Sequence, residues 1–145
     1  MQTIIKYYHE LTLDELYEIL QLRNSVFIVE QNCPYLDIDD KDKHSLHVFI
    51  KDEQGIQAYL RVLEKGISFD EVGIGRVIAR KRRCGLGTEV LKAGIKAAQE
   101  IYHAEKIILE AQIYARTLYE KQGFIQTSDE FLEDGIPHIQ MTLQI

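Results

Sequence analysis

A basic segment that carries two glycines, at residues 80–88, contains the residue types that bind phosphate. Four consecutive cations at residues 80–83 precede Cys84-Gly85-Leu86-Gly87-Thr88. The segment lies between a strand-like and a helix-like stretch, so the glycines fall where the helix begins. Unpaired N–H groups and a partial positive charge make a helix N-terminus an anion site. The segment therefore predicts phosphate binding; a solvated loop or a nuclear-localisation-like run is the alternative.

Two familiar nucleotide-binding motifs do not occur in this segment. A P-loop ends in Gly-Lys followed by Ser or Thr, and the dinucleotide fingerprint reads G-x-G-x-x-G. Here the glycine pattern is Gly85-Leu86-Gly87 alone, which is weak evidence by itself. The glycines nevertheless let a phosphate approach the main chain, and Arg82, Arg83 and Thr88 add side-chain donors.

Composition limits the classes of protein to which the chain can belong. The 145 residues carry a formal net charge of −6, which argues against a general nucleic-acid or membrane-surface binder. No apolar run approaches the ~20 residues of a membrane span, and the N-terminus lacks the order of a signal peptide. The two cysteines, Cys33 and Cys84, fit neither a disulfide framework nor a zinc site. We therefore expect one cytoplasmic domain over residues 1–145, without a metal and without a nucleic-acid or membrane partner.

Hydrophobic patterning indicates the elements that position the basic segment. A first helix is marked by a capping box, with Thr12 at its N-cap and Glu15 three residues later. Further helices are predicted over residues 87–102 and 114–122. Strands are predicted near residues 3–8, 46–51, 57–63, 71–79, 107–109, 124–126 and 138–145. A loop at residues 30–45 separates the first helix from the second strand. This order predicts an α/β (α+β mixed) fold around a mixed sheet.

Local details within these elements add three expectations. Gly73 and Gly75, inside one predicted strand, are typical of a bulge or of close approach by a ligand. Small residues such as Gly94 on the apolar stripe of the second helix let that helix lie close to the sheet. Arg23 falls near the stripe of the first helix, where an arginine either snorkels or pairs with a carboxylate.

The arrangement Arg82-x-x-Gly85-x-Gly87 resembles the [Gln/Arg]-x-x-Gly-x-[Gly/Ala] signature of the GNAT superfamily of acyl-CoA N-acyltransferases. The sequence QIYARTLYEKQGF at residues 112–124 is similar to that family's Asn-x-x-Ala-x-x-Leu-Tyr-Glu-Lys-x-Gly-Phe segment. Residues 26–35, 75–77 and 133–139 resemble the ElaA-like branch. The resemblance covers nearly the whole chain. It implies a GNAT-like central sheet, mixed and mostly antiparallel, with six to seven strands flanked by about four helices.

The resemblance also implies an activity, namely transfer of an acetyl group from acetyl-CoA to a primary amine. The basic loop would bind the pyrophosphate of coenzyme A, and Tyr119 would protonate its sulfur. The cofactor-binding residues implied are Val77, Ile78, Ala79, Arg82, Arg83, Cys84, Gly85, Leu86, Gly87, Thr88, Gln112, Ala115 and Tyr119. The amide that would meet the acetyl carbonyl lies near residues 77–79. The stretch from Arg76 to Arg82 is about two residues shorter than is usual in the family, which leaves the register of that amide open by one or two residues. Two further departures are Gln112 in place of Asn and Arg83 in place of Gly.

The sequence defines the site of the amine acceptor less closely than the cofactor site. The resemblance suggests that the pocket for a small-molecule or peptide amine is bordered by Glu30, Gln31, Asn32, Tyr35 and His138. Candidates for the general base are Glu30, His47, Glu71, Glu110 and His138, or a relaying water. The acidic residues at 37–42 either attract a cationic acceptor or form a solubility face.

The sequence is also compatible with other functions. A non-catalytic acyl-CoA-binding sensor or interaction module would show the same loop. Nucleic-acid binding through residues 80–83 is disfavoured, because no aromatic residues interleave with the cations. Edge strands of a mixed sheet can also pair two copies into a homodimer.

Overall fold

The computed structural model describes residues 1–81 and 84–145 and shows a single sheet with helices on both faces. Its strands are β1 (Gln2–Tyr7), β2 (Ser45–Asp52), β3 (Gly55–Leu63), β4 (Val72–Ala79), β5 (Lys106–Gln112), β6 (Ile125–Gln126), β7 (Phe131–Glu133) and β8 (Ile136–Gln144). Its α-helices are α1 (Leu13–Arg23), α2 (Leu86–Tyr102) and α3 (Arg116–Glu120). The strand order is β1-β2-β3-β4-β5-β8-β6, with β7 paired to β8. Every pair is antiparallel except β4 with β5, so the mixed, mostly antiparallel fold is confirmed.

Two counts differ from expectation. The sheet has eight strands instead of six to seven, and the described residues form three α-helices instead of about four. The additional strand is β7, whose three residues are too few to show an alternating pattern. It pairs with β8 through a tight turn at Asp134 and Gly135, which have φ angles of 52° and 77°. Instead of a fourth α-helix, Asn24–Glu30 continues α1 as a π-helical turn. Wider turns of this kind are frequent at functional sites.

The capping box predicted for the first helix is present. Thr12 Oγ1 accepts a hydrogen bond from the Glu15 N–H (3.0 Å), and Glu15 Oε1 accepts one from the Thr12 N–H (2.9 Å). Both groups would otherwise be unpaired at the helix start.

The sheet buries a different apolar cluster on each face. On one face α2 packs closely, because a Cβ on Gly94 would lie 2.8 Å from Leu60 Cδ1. The small residues of this helix therefore have the role expected from the sequence. On the other face, α1 packs Ile19 and Leu22 against Phe49 and other residues. In the described part of the chain, no helix has the length and apolar character needed to cross a membrane.

Candidate active site

A cleft opens where the two parallel strands separate. Strands β4 and β5 pair at Val72–Ile107 and at Gly73–Ile108. Beyond these rungs β4 follows β3 and β5 follows β8, so the two strands part. The opening leads into a cavity of about 340 Å³. Its wall includes Gly75, Arg76, Val77, Glu110, Gln112, Ala115 and Tyr119.

A bulge in β4 forms one wall of this cavity. Tyr59 is paired with Ile78, but Arg61 is paired with Gly75, so β4 has one residue more than β3 across this interval. The register passes over Arg76 and Val77, and Arg76 has a left-handed φ of 54°. A bulge disrupts the ladder locally and increases the twist of its strand. The bulge predicted from the strand glycines is thus present, directly after Gly75.

The N-terminus of α2 follows β4 through the basic loop. Gly85 is the N-cap, with φ of 83°, and its carbonyl accepts the first helical bond, from the Glu89 N–H (3.0 Å). The N–H groups of residues 86–88 therefore precede the first helical donor. Arg82 and Arg83, which the sequence assigns to phosphate, lie outside the described residues.

The other residues around this helix start have distinct surroundings. Cys84 is exposed, and its Sγ donates to the Lys81 carbonyl (2.9 Å). Leu86 is buried in the core below α2, and Thr88 is half-buried. A Cβ on Gly87 would lie 3.7 Å from Leu118, an ordinary contact. Glycine is therefore required at position 85 by the backbone conformation, whereas position 87 has room for a methyl group.

Tyr119 enters the cavity from the short helix α3. Tyr119 is buried, with 7% of its surface exposed, and its ring packs edge-on against Phe124 with ring centroids 6.0 Å apart. Burial raises the pKa of Tyr119 well above its usual range, and the neighbouring Tyr114 acts in the same direction. The phenol is therefore fully protonated at neutral pH and available as a proton donor. After α3 the chain turns at Gly123 (φ 97°), as its predicted role as a C-cap requires.

Three aspartates of the acidic run, Asp37, Asp39 and Asp42, form an internal ion network, whereas Asp40 is exposed. Arg23 is fully buried and contacts Asp37 Oδ2 through Nε (3.0 Å) and Asp42 Oδ1 through Nη1 (2.6 Å). Arg61 Nη2 lies 2.7 Å from Asp39 Oδ2, and Arg61 Nη1 lies 2.9 Å from Asp42 Oδ1. Arg76 Nε lies 2.7 Å from Asp37 Oδ1. Three arginines thus neutralise three aspartates, which removes the support for attraction of a cationic acceptor by these carboxylates. Arg23 makes the carboxylate pairing that was one of its two predicted options.

The arginines keep the aspartates of this network ionised. Burial alone would raise the pKa of Asp39, but hydrogen bonding to Arg61 lowers that pKa to about 2. Sequence reasoning missed the roles of Arg61 and Arg76. The available signal was a charged residue inside each of two mostly apolar strands.

The candidate bases occupy different environments. His47 is fully buried in the sheet, with Nδ1 2.8 Å from Tyr59 Oη and Nε2 2.9 Å from the Asp42 carbonyl. Burial lowers the pKa of His47, and the residue lies outside the cavity wall. Glu71 and Glu30 also lie outside the wall, and Glu71 pairs with Lys65 at 3.7 Å. Glu110 and His138 are the candidates that line the cavity.

Glu110 lines the cavity and has a strongly raised pKa. Burial and the neighbouring Glu133 carboxyl raise the pKa of Glu110 to about 7, with an opposing effect from Lys41. His138 Nδ1 donates to the Ile136 carbonyl (2.7 Å), which leaves Nε2 3.6 Å from Glu133 Oε2. The cavity wall therefore carries a carboxyl group with a pKa near 7, that of Glu110, together with the His138 imidazole and a second carboxyl group, that of Glu133.

Three of the predicted acceptor residues line the cavity, namely Gln31, Tyr35 and His138. Glu30 and Asn32 are exposed and lie outside the wall. The loop that carries these residues contacts the β7–β8 turn, where Cys33 Sγ donates to the Asp134 carbonyl (3.3 Å). On the cofactor side, Val77, Gln112, Ala115 and Tyr119 are in the wall. Ile78 is buried toward α1, and Ala79 packs against the core below α2.

Known proteins of one family are similar to this chain over nearly its whole length. The family described as Acetyltransferase (GNAT) domain matches residues 17–145. A UPF0039 protein of Schizosaccharomyces pombe is 34% identical over 149 residues, covering 100% of this chain and 98% of that protein. Protein ElaA of Escherichia coli is 34% identical over 143 residues, covering 96% of this chain and 94% of ElaA.

Solved structures agree with the sequence relatives. An acyl-CoA N-acyltransferase from Pseudomonas aeruginosa has a TM-score of 0.92 at 35% identity and covers 99% of both chains. The crystal structure of E. coli ElaA also has a TM-score of 0.92, at 33% identity, covering 99% of this chain and 100% of that chain. The family resemblance seen in the sequence is thereby confirmed. The chain is an ElaA-like member of the GNAT superfamily of acyl-CoA N-acyltransferases.

Proposed function

We propose that the protein transfers an acetyl group from acetyl-CoA to a primary amine. The observation that carries the proposal is a shared cavity, because the β4 bulge, the end of β5 and Tyr119 line one space where two parallel strands part. The N-terminus of α2 follows β4 through the basic loop, so the helix end that would bind phosphate and the strand that would hold the thioester are consecutive in the chain. The family supports acyl-CoA as the class of donor.

The main chain offers donors for both ends of acetyl-CoA. The N–H groups of residues 86–88 would bind the diphosphate, with Arg82 and Arg83 as additional donors. The N–H of Val77 in the bulge would donate to the thioester carbonyl and stabilise the negative charge that develops on its oxygen. Of the three candidate amides, Val77 is the one in the cavity wall, and the register of β4 with β3 passes over it, which favours Val77 over Ile78 and Ala79.

The reaction also needs a proton donor and a proton acceptor. Attack of a neutral amine nitrogen on the thioester carbon forms the C–N bond and breaks the C–S bond. Tyr119 would protonate the departing sulfur, because its raised pKa keeps the phenol protonated. Glu110 would accept the proton lost by the amine, because a pKa of about 7 leaves a large fraction of the carboxyl ionised at neutral pH.

A thiol-release assay tests this function directly. The protein is incubated with acetyl-CoA and each of several amines, including polyamines, amino sugars and peptide N-termini. We expect equal amounts of free thiol and acetylated amine for at least one of these classes. Calorimetric binding of acetyl-CoA without thiol release from any amine would indicate a non-catalytic acyl-CoA sensor. Failure to bind either acetyl-CoA or coenzyme A would contradict the proposal as a whole.

A further inference from the structure

Arg76 adopts a backbone conformation that arginine disfavours. Its φ of 54° lies in the left-handed region, which disfavours an L-residue by roughly 5- to 30-fold. Glycine adopts the same φ without this penalty. Gly75 is the adjacent residue, yet its φ is not positive and the left-handed position of the bulge falls on the arginine. The side chain of Arg76 must therefore supply interactions that offset the backbone cost.

Those interactions come from the loop that follows the π-helical turn. Arg76 Nε lies 2.7 Å from Asp37 Oδ1, and Arg76 Nη2 donates to the Asp37 carbonyl (3.2 Å) and to Asp39 Oδ2 (3.4 Å). The guanidinium carbon lies 5.5 Å from the centroid of the Tyr35 ring. Tyr35 in turn donates from its hydroxyl to Asp37 Oδ1 (3.2 Å). The Arg76 side chain is thus held by two carboxylates, a carbonyl and an aromatic face.

The two aspartates are themselves fixed by core elements. Arg23, at the end of α1, donates from Nε to Asp37 Oδ2 (3.0 Å) and from Nη2 to the Asp37 carbonyl (2.8 Å). Arg61, in β3, donates from Nη1 and Nη2 to the two oxygens of Asp39, at 2.8 and 2.7 Å. Since Arg23 is fully buried and Arg61 is nearly so, neither aspartate is free to follow a movement of the bulge.

We propose that Asp37 and Asp39 act through Arg76 as positioning residues that hold the β4 bulge in the shape needed to present the Val77 N–H to the thioester carbonyl. The inference rests on the proposed function, because that N–H has a role only if an acyl-CoA thioester occupies the cleft. Val77 directly follows Arg76, so the φ of Arg76 sets the path of the chain into Val77. The aspartates would then affect recognition of the acetyl group without touching it.

A matched pair of substitutions separates this role from general support of the loop. Arg76→Ala and Arg76→Gly remove the same side chain and leave the same aspartates without their third partner. They differ in the backbone, because alanine disfavours φ of 54° and glycine does not. Calorimetry would give Kd for acetyl-CoA and for coenzyme A, whose ratio reports recognition of the acetyl group. The ¹⁵N resonance of the Val77 amide, followed with each ligand, gives a second readout that is independent of turnover.

We expect wild-type protein to prefer acetyl-CoA and to shift the Val77 resonance with acetyl-CoA but not with coenzyme A. Arg76→Ala should reduce the preference about tenfold and remove that shift, whereas Arg76→Gly should retain the preference to within about threefold. Equal loss in both variants would mean that the guanidinium is needed directly and would overturn the inference. An unchanged preference in Arg76→Ala would overturn it as well. Urea unfolding of both variants checks that a difference in binding does not reflect unfolded protein.

A double substitution provides an independent check. Asp39→Asn should weaken the preference for acetyl-CoA in wild-type protein but have no further effect in the Arg76→Gly background, because the contact through which it acts is gone. An undiminished effect of Asp39→Asn in that background would contradict the inference. Wild-type protein that binds coenzyme A and acetyl-CoA equally would refute the positioning role alone. Wild-type protein that binds neither would refute the proposed function itself.

Discussion

The pKa of Glu110 gives the proposed reaction a pH dependence that one neighbouring substitution should move. Burial and the Glu133 carboxyl together raise that pKa to about 7, and Lys41 acts in the opposite direction. A general base works in its ionised form, so kcat/KM should fall as pH decreases through 7. One unit below its pKa a group is about one-tenth ionised, which sets the activity expected at pH 6.

The raised pKa of Glu110 has two causes, burial and the Glu133 carboxyl. Glu133→Gln removes the carboxyl and retains the burial. The pKa of Glu110 should then move toward its ordinary value of 4.5, and activity at pH 6 should rise by up to about tenfold relative to wild type. His138 lies 3.6 Å from Glu133, so Glu133→Gln also removes a carboxylate from the imidazole. A His138→Gln variant, measured alone and combined with Glu133→Gln, distinguishes that contribution.

The assay is thiol release from acetyl-CoA between pH 5.5 and 9, with the same amine for every variant. The ionisation of the amine cancels when variants are compared at one pH, so the ratio of rates reports the protein. Glu110→Gln should lower kcat and abolish the fall of kcat/KM near pH 7, which is the acidic limb of the pH–rate profile. An unchanged limb in Glu110→Gln, or an unchanged rate of Glu133→Gln at pH 6, would refute Glu110 as the base.

Three other predictions test separate parts of the structure. Tyr119→Phe should lower kcat by about a hundredfold or more and leave the calorimetric Kd for coenzyme A unchanged, because only the proton donor is lost; equal turnover would exclude it as the acid. Gly85→Ala should lower the free energy of unfolding in urea by about 1–2 kcal/mol, because φ is 83° there, whereas Gly87→Ala should be neutral or stabilising. Equal effects at the two positions would contradict the conformational account. Arg23→Met should cost about 3–5 kcal/mol in the same assay, because two buried aspartates lose a partner; a cost below 1 kcal/mol would show that the network relaxes without it.

Local patterns in the sequence were sufficient for much of the fold. The capping box at Thr12, the amphipathic second helix and the turn at Gly123 each depend on residues a few positions apart, and the structure contains all three. The bulge in β4 was also predictable, since paired glycines in a strand are a local signal. The three-residue strand β7 was missed, because so short a segment has no measurable period.

Contacts between distant residues could not be predicted in the same way. Asp37 is 14 residues from Arg23 and 39 from Arg76, and nothing local distinguishes a buried aspartate from a solvated one. The acidic run was therefore compatible with a solubility face until the arginines were placed around it. The same applies to Glu110, whose pKa depends on Glu133, a residue brought near by the β7–β8 hairpin.

The brief parallel contact between β4 and β5 has a consequence for how the molecule opens. Strands β1–β4 form one antiparallel group and β5–β8 another, and in the described residues the two groups share the rungs at Val72–Ile107 and Gly73–Ile108. Side chains of both groups also meet in the core cluster that includes α2, so side-chain packing adds to these two rungs. Amide hydrogens of the two groups should consequently exchange with solvent as separate cooperative units. A ligand seated in the seam would couple them, so that protection rises on both sides at once.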